Sequence, residues 1–155
     1  MPQPNPVNTL EILIKSWQEA SQDAYLIREK VFIQEQGVPE DMELDKFDHT
    51  SNHALAYEGR LCVGTGRLVR LNSHHAQIGS MAVLSAFRNR GIGKAILSRL
   101  IALAKAEGVL TLTLHSQISA IPFYAKMGFI VEGPIYDEAG IAHRNMILSL
   151  VRTLE

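Results

Sequence analysis

The sequence predicts a single α/β domain, and three observations support this fold class. The chain has 155 residues, a length that suits one domain able to bury about two thirds of its unfolded surface. Its hydrophobic fraction of 46% and charged fraction of 20% are ordinary for a globular protein. Segments that alternate like strands are interspersed with segments that have the period of a helix. We see no internal repeat or linker, so residues 9–155 are predicted to fold together behind a flexible tail of residues 1–8.

The first half of the chain alternates between the two patterns. Strands are predicted over residues 9–17, on both sides of a Glu58-Gly59 turn within residues 54–71, and over residues 75–83. Apolar residues at helical spacing predict a helix over residues 18–36, which Gly37 and Pro39 end. The polar, acidic stretch that follows, residues 38–53, is too long for a simple turn and predicts a functional loop or a short helix. Its acidic residues lie within an acidic loop, residues 40–48.

The second half begins with the strongest helical pattern. Apolar residues from Ile92 to Ala104 form a broad face on a helix that Gly108 closes. The remaining elements are predicted as a strand over residues 109–116, a short helix over 120–127, and strands over 129–135 and 144–150.

Composition limits the partners and the location. A net charge of −1 gives no general attraction to nucleic acid or to an anionic membrane, so we expect neither as a partner. No apolar run approaches the length of about 18 residues that spans a membrane, and the first residues have no secretory pattern. The single cysteine, Cys62, gives no argument for an oxidising compartment and is predicted to be a core residue. These features predict a cytoplasmic protein.

A metal site is not expected. Among the six histidines, His49 and His53 are the only pair with i, i+4 spacing, and they lie in a stretch without a regular helical pattern.

A glycine-rich turn joins the third predicted strand region to the long helix. The sequence AVLSAFRNRGIGKAIL, residues 82–97, passes from an apolar strand end to a helix through Arg-Asn-Arg-Gly-Ile-Gly. Backbone N–H groups at such a junction lack intrahelical acceptors, and the helix dipole adds positive charge, so phosphate is the natural ligand. A Walker A loop is excluded by Arg88 and Ala95, and a Rossmann fingerprint by Ile96.

The motif that remains, Arg88-x-x-Gly91-x-Gly93, resembles the acetyl-CoA motif of the GCN5-related N-acetyltransferase superfamily. The segment AIPFYAKMGF, residues 120–129, is similar to the second signature of that superfamily. The resemblance covers about residues 10–150, and residues 31–45 and 136–146 are similar to a small bacterial-type subgroup. It implies an α+β fold with a mixed, mostly antiparallel sheet of six or seven strands and about four flanking helices. The sheet would be splayed near residues 81–83 and 112–116.

The resemblance also implies an activity and a set of residues. The activity would be acetyl transfer from acetyl-CoA directly to the primary amine of a small molecule or peptide. Backbone N–H groups would hold the pyrophosphate and the thioester carbonyl, and Tyr124 would donate a proton to the departing thiolate. The residues implied in cofactor binding are Met81, Ala82, Val83, Arg88, Asn89, Arg90, Gly91, Ile92, Gly93, Lys94 and Gln117.

The general base stays open among several side chains. The candidates are Glu43 and Asp45 in the acidic loop, His115 at the end of a strand, Glu132 and Glu138. The acidic loop would suit a cationic amine acceptor, and it would equally suit a solvated charged surface.

Two other function classes are open as well. The spacing of Arg28, Val31-Phe32, Glu43-x-Asp45 and Phe47-Asp48 is similar to the amino-terminal pattern of acyl-homoserine-lactone synthases, which share the fold. A domain that binds acetyl-CoA without turning it over is the other alternative. Neither the acceptor nor the oligomeric state follows from the sequence, and a homodimer is one of the assemblies it permits.

Overall fold

The computed structural model describes residues 9–40 and 45–151. Its strands are β1 (Leu10–Lys15), β2 (Asn52–Glu58), β3 (Leu61–Arg70), β4 (His75–Val83), β5 (Thr111–Gln117), β6 (Ile130–Glu138) and β7 (Ile141–Ser149). Its α-helices are α1 (Trp17–Arg28), α2 (Ile92–Ala106) and α3 (Ile121–Ala125), and α1 continues as a π-helix over Glu29–Glu35. Short 3₁₀ turns lie at Asp48–Thr50, Ser85–Phe87 and Ile118–Ala120.

The seven strands form one sheet in the order β1-β2-β3-β4-β5-β7-β6. Within the described residues, β4 and β5 pair in parallel and the other neighbours pair antiparallel. The predicted mixed, mostly antiparallel sheet is therefore confirmed, with seven strands. The predicted tail over residues 1–8 lies outside the described residues.

The two long helices pack on opposite faces of the sheet. Gly64 and Gly66 of β3 face α2 so closely that a Cβ added at Gly66 would lie 3.0 Å from a methyl group of Ile96. On the other face, α1 packs against β2, β3 and β4, where Ala20 and Ala24 of the helix are buried against Leu55. Small residues on one side of each interface thus allow close helix–sheet contact and position the elements around β4.

The structure differs from the sequence prediction along the first helix. A single helix over residues 18–36 is wrong in detail, because the regular α-helix ends at Arg28 and wider turns follow. In these turns, for example, the Gln36 N–H donates to the carbonyl of Val31, five residues earlier, over 3.1 Å. The short helix predicted over residues 120–127 spans only Ile121–Ala125.

The last hairpin is longer than predicted. Strands β6 and β7 extend beyond the predicted ranges 129–135 and 144–150 and meet at a two-residue turn, Ala139-Gly140. Both turn residues have positive φ, 54° at Ala139 and 80° at Gly140. Alanine rarely adopts this conformation, so Gly140 is the only one of the two residues whose type indicates the turn.

Candidate active site

The sheet opens between β4 and β5. Their parallel pairing ends at Ile78 and Leu114, although β4 continues to Val83 and β5 to Gln117. The predicted splay is therefore confirmed: Leu114 lies within the predicted range 112–116, and on β4 the opening begins after Ile78, before the predicted range 81–83. A cleft of about 620 Å³ lies at this opening and along the neighbouring sheet face.

A β-bulge in β4 shapes one wall of the cleft. Thr65 of β3 pairs with Ala82, whereas Arg67 pairs with Gly79, so β4 contains one extra residue over this length. Ser80, within the bulge, has a φ of 50°. A bulge bends its strand and re-aims the peptide groups that follow it.

The peptide groups of Val83 face the opening. Leu84 N–H donates to the Val63 carbonyl of β3 over 2.9 Å. Because successive peptide groups of a strand alternate in direction, those of Val83 point away from β3. The Val83 carbonyl accordingly accepts a 2.9 Å hydrogen bond from Arg88 Nε instead of one from β3. The segment from Met81 to Val83 therefore offers backbone groups to an extended ligand.

The glycine turn ends at the first residues of α2. Gly91 is the N-cap residue with a φ of 79°, and a side chain added there would meet nothing within 4 Å. The first intrahelical hydrogen bond runs from Ala95 N–H to the Gly91 carbonyl over 3.0 Å. The N–H groups of Ile92, Gly93 and Lys94 precede it and so lack an intrahelical acceptor, which together with the helix dipole suits them to an anion.

The three cations predicted at this turn differ in their surroundings. Arg88 forms a bidentate ion pair with Glu35 of the π-helix, over 2.6 and 2.7 Å. The hydrogen bond from Arg88 holds the pKa of Glu35 below its usual value. Arg90 lies 3.7 Å from a carboxylate oxygen of Glu58, and Lys94 is exposed. Arg88 thus fastens the turn to the π-helix instead of presenting a free charge.

Tyr124 lies on α3 and lines the cleft. Its side chain is buried, with edge-on ring contacts to Phe123 at 5.0 Å and to Phe129 at 6.0 Å between centroids. Burial raises the pKa of the phenol to about 12. Its hydroxyl makes no hydrogen bond within the part of the chain that the structure describes, so it is free to donate one to a ligand.

Gln117 lies at the end of β5, on the lip of the cleft opposite Val83. Its side-chain amide donates a 2.8 Å hydrogen bond to the side-chain oxygen of Gln36. Gln36 follows Glu35, so two consecutive residues contact the two sides of the cleft. Glu35 contacts the β4 side through Arg88, and Gln36 contacts the β5 side through Gln117.

A cluster of two imidazoles and a carboxylate lines the cleft beyond β5. Glu138 Oε1 lies 3.0 Å from Nδ1 of His115, and Glu138 Oε2 lies 3.5 Å from Nε2 of His143. Tyr136 packs edge-on against His115 and stacks on His143. Two of the base candidates, His115 and Glu138, are thus in direct contact.

The acidic loop is partly structural. Both carboxylate oxygens of Asp45 accept 2.7 Å hydrogen bonds from Arg67, and the buried Asp48 bridges Arg67 and Arg28. Burial opposes the ionisation of Asp48, but the hydrogen bond and charge of Arg28 and the charge of Arg67 outweigh it and lower its pKa. A solvated loop is therefore wrong for the buried Asp48. Asp45 is paired with Arg67 but stays partly exposed on the cleft wall, so its role toward an acceptor stays a prediction. Glu43 lies outside the described residues.

The structure brings together only part of the predicted site, because residues 89–94 are not in the lining of the cleft. Arg88, Gln117, Tyr124, His115 and the strand segment 81–83 all line the cleft. Sequence analysis missed the arginine and carboxylate partners that hold its walls, and it missed His143. No three His, Cys, Asp or Glu side chains among residues 9–40 and 45–151 come together as a metal site.

Comparisons with known proteins agree with this architecture. Residues 17–150 match the model of the Acetyltransferase (GNAT) domain family. The uncharacterised N-acetyltransferase YjcF of Bacillus subtilis is 32% identical over 139 residues, which are 89% of this chain and 99% of that protein. The crystal structure of a Lactobacillus plantarum protein has a TM-score of 0.85 at 27% identity and covers 93% of this chain and 100% of that one.

A third comparison concerns a ligand-bound structure. A GNAT family acetyltransferase from Elizabethkingia anophelis, crystallised with acetyl-CoA bound, has a TM-score of 0.69 at 18% identity, with coverage of 91% of this chain and 98% of that one.

The chain belongs to the GNAT acetyltransferase family. No helix among the described residues is long and apolar enough to cross a membrane.

Proposed function

We propose that this acetyltransferase moves an acetyl group from acetyl-CoA directly to a primary amine of a small molecule or peptide. One observation carries the proposal: the opened edge of β4 runs from a bulge toward the glycine turn at the start of α2, and Tyr124 lines the same cleft. This order of groups matches an extended thioester ligand with a phosphate at one end. The cleft volume is also within the usual range for small-molecule sites, about 300–1,000 Å³.

Two different parts of the chain would bind the pyrophosphate and the pantetheine arm of acetyl-CoA. The N–H groups of Ile92, Gly93 and Lys94 would bind the pyrophosphate, and Lys94 would add charge. Asn89, with a φ of 64°, and Gly91 give the turn its shape. The backbone of Met81, Ala82 and Val83 would pair with the pantetheine arm. The acetyl-CoA bound to the Elizabethkingia anophelis relative supports this co-substrate. The proposed location is the cytoplasm, because acetyl-CoA is available there.

Three chemical tasks remain for the reacting end. The Val83 N–H would stabilise the negative charge that develops on the thioester oxygen. Tyr124 would give its proton to the sulfur as the carbon–sulfur bond breaks. A base must take a proton from the amine; among the described residues we assign this task to His115, and Glu43 is the candidate outside them.

The test is an acceptor panel with a thiol readout. Purified protein is mixed with acetyl-CoA and glucosamine, spermidine, an aminoacyl amide or a peptide with a free amino terminus, and free CoA is measured. We expect at least one amine to be acetylated, with mass spectrometry locating the acetyl group on nitrogen. Tight binding of acetyl-CoA without turnover would indicate the non-catalytic alternative. Lactone formation from S-adenosylmethionine and an acyl donor would indicate the acyl-homoserine-lactone alternative.

A further inference from the structure

Glu138 lies where it can control the imidazole of His115. It is the last residue of β6, directly before the Ala139-Gly140 turn, and its Oε1 lies 3.0 Å from His115 Nδ1 across the sheet. Both side chains are partly exposed on the wall of the cleft. We propose that Glu138 is a positioning residue that fixes the tautomer of His115, so that Nε2 of His115 is the general base. This inference rests on the acetyl transfer proposed above.

The tautomer follows from the chemistry of the two groups. A carboxylate oxygen can only accept a hydrogen bond, so the short contact with Glu138 places the proton of neutral His115 on Nδ1. The other ring nitrogen, Nε2, then carries a lone pair. Without that acceptor, both nitrogens would share the proton, and only part of the molecules would present a bare Nε2.

His143 leaves Glu138 available for His115. Its Nδ1 lies 2.7 Å from the carbonyl oxygen of Ile141, which also can only accept, so the proton of neutral His143 is on Nδ1. Its Nε2 therefore has no hydrogen to give to Glu138, 3.5 Å away. In the neutral state, His115 is the one side chain among the described residues that donates a hydrogen bond to Glu138.

The ring orientation is fixed by packing as well. Tyr136 contacts the edge of His115 with 5.9 Å between centroids and stacks on His143 at 6.0 Å. The Tyr136 hydroxyl in turn donates to the side-chain oxygen of Asn145 on β7. The β6–β7 hairpin thus supplies both the carboxylate and the aromatic ring that hold the imidazole of a residue on β5.

Glu138 itself is poorly placed to be the base. One of its oxygens already accepts the His115 hydrogen bond, so that oxygen is not available to take a proton from the amine. The two candidates from the sequence therefore have different tasks: the histidine takes the proton, and the glutamate orients the histidine.

The first experiment measures the tautomer directly. Long-range proton–nitrogen NMR spectra of the full chain at about pH 8, where an ordinary imidazole is neutral, distinguish Nδ1–H from Nε2–H rings. His115→Gln identifies the His115 signals by their loss. We expect Nδ1–H for His115 in the wild-type protein and a mixture of tautomers in Glu138→Ala. An Nε2–H ring in the wild-type protein, or an unchanged tautomer in Glu138→Ala, would overturn the proposal.

The second experiment measures rate with the amine from the acceptor panel that the wild-type protein acetylates fastest. Removing a general base typically lowers the rate by about 10²- to 10⁴-fold, and loss of its positioning should lower the rate by less. We therefore expect kcat of Glu138→Ala to fall by about 10- to 100-fold, with KM for acetyl-CoA unchanged. The double variant His115→Gln/Glu138→Ala should be no slower than His115→Gln alone, because the two residues act as one unit.

The matched control is Asp137→Asn. This change removes a negative charge from the neighbouring residue but keeps the oxygen that accepts the Gly140 N–H in the turn. We expect it to retain both the wild-type tautomer and the wild-type rate. A double variant slower than His115→Gln would show that Glu138 acts independently and would refute the proposal. If the wild-type protein acetylates no amine, the proposed function fails, while the NMR result still decides whether Glu138 positions His115.

Discussion

Tyr124→Phe tests the proton-donating role of Tyr124 separately from its packing role, because the hydroxyl would donate the proton and the ring makes the packing contacts. The ring is buried, with only 8% of the residue exposed, and packs against Phe123 and Phe129. Phenylalanine keeps that ring. The hydroxyl makes no hydrogen bond among the described residues, so its removal leaves no partner unsatisfied, and the free energy of unfolding should change by less than about 1 kcal/mol.

The rate should change far more than the stability. If the hydroxyl donates its proton to the departing sulfur, its loss should lower the rate of the chemical step by about 10²- to 10⁴-fold, which corresponds to about 3–5 kcal/mol in the barrier. Because burial raises the pKa of the phenol to about 12, the acid form persists in alkaline solution. The wild-type rate should therefore show no loss from deprotonation of Tyr124 between about pH 8 and about pH 10.

The assay is single-turnover acetyl transfer, which measures chemistry rather than product release. Affinity for CoA, measured by calorimetry, should hardly change. Tyr57→Phe is the matched control: its hydroxyl donates to Asp23, and it does not line the cleft, so we expect a loss of about 1 kcal/mol of stability with an unchanged rate. A Tyr124→Phe protein with the full single-turnover rate would refute the acid role and leave the tyrosine with a packing role alone.

Three further predictions test the surroundings of the site. Gly91→Ala and Gly108→Ala place a side chain at nearly the same positive φ, 79° and 80°, with open space around both. Each substitution should therefore cost about 1 kcal/mol of stability. Only Gly91→Ala should weaken CoA binding, as measured by calorimetry. Glu35→Gln releases the charge of Arg88 beside the anion site, so CoA should bind about 2- to 5-fold more tightly at low salt, and a gain that persists at high salt would contradict this electrostatic origin. Asp48→Asn should lower the free energy of unfolding by about 3–5 kcal/mol, because it removes the buried carboxylate that pairs with both Arg28 and Arg67. Since the pKa of Asp48 is lowered in the folded protein, this difference should be complete above about pH 3.9 and shrink as the pH falls further; a constant difference in acid denaturation experiments would argue against it.

The parts of the fold that the sequence predicted are those with a local pattern. The apolar face of α2 and the alternation along β4 and β5 depend on residues a few positions apart, and their elements appear as predicted. The π-helix over Glu29–Glu35 has no such pattern, because its apolar residues continue the spacing of α1. The tip of the β6–β7 hairpin was missed for a similar reason, since Ala139 adopts a positive φ that its residue type does not favour.

The candidate site could be predicted only as far as its motifs reach. The glycine turn and Tyr124 are marked by short sequence signatures. The partner of Arg88 is Glu35, 53 residues earlier, and the partner of Asp45 is Arg67, 22 residues later. Such pairs depend on how the sheet and α1 come together, so no local spacing predicts them. The Glu138 contact with His115 likewise exists only because the hairpin folds back beside β5.

The divergence of β4 and β5 has a mechanical consequence for this chain. Beyond Ile78 and Leu114 the two strands share no ladder, so the sheet itself does not determine how wide the gap is. The width of the gap depends on contacts outside the sheet. Glu35 pairs with Arg88 on the β4 side, and the next residue, Gln36, accepts a hydrogen bond from Gln117 at the end of β5. Insertion or deletion of a single residue in the helical segment that holds Glu35 and Gln36 would therefore change the width of the gap between β4 and β5, although no residue of either strand would change.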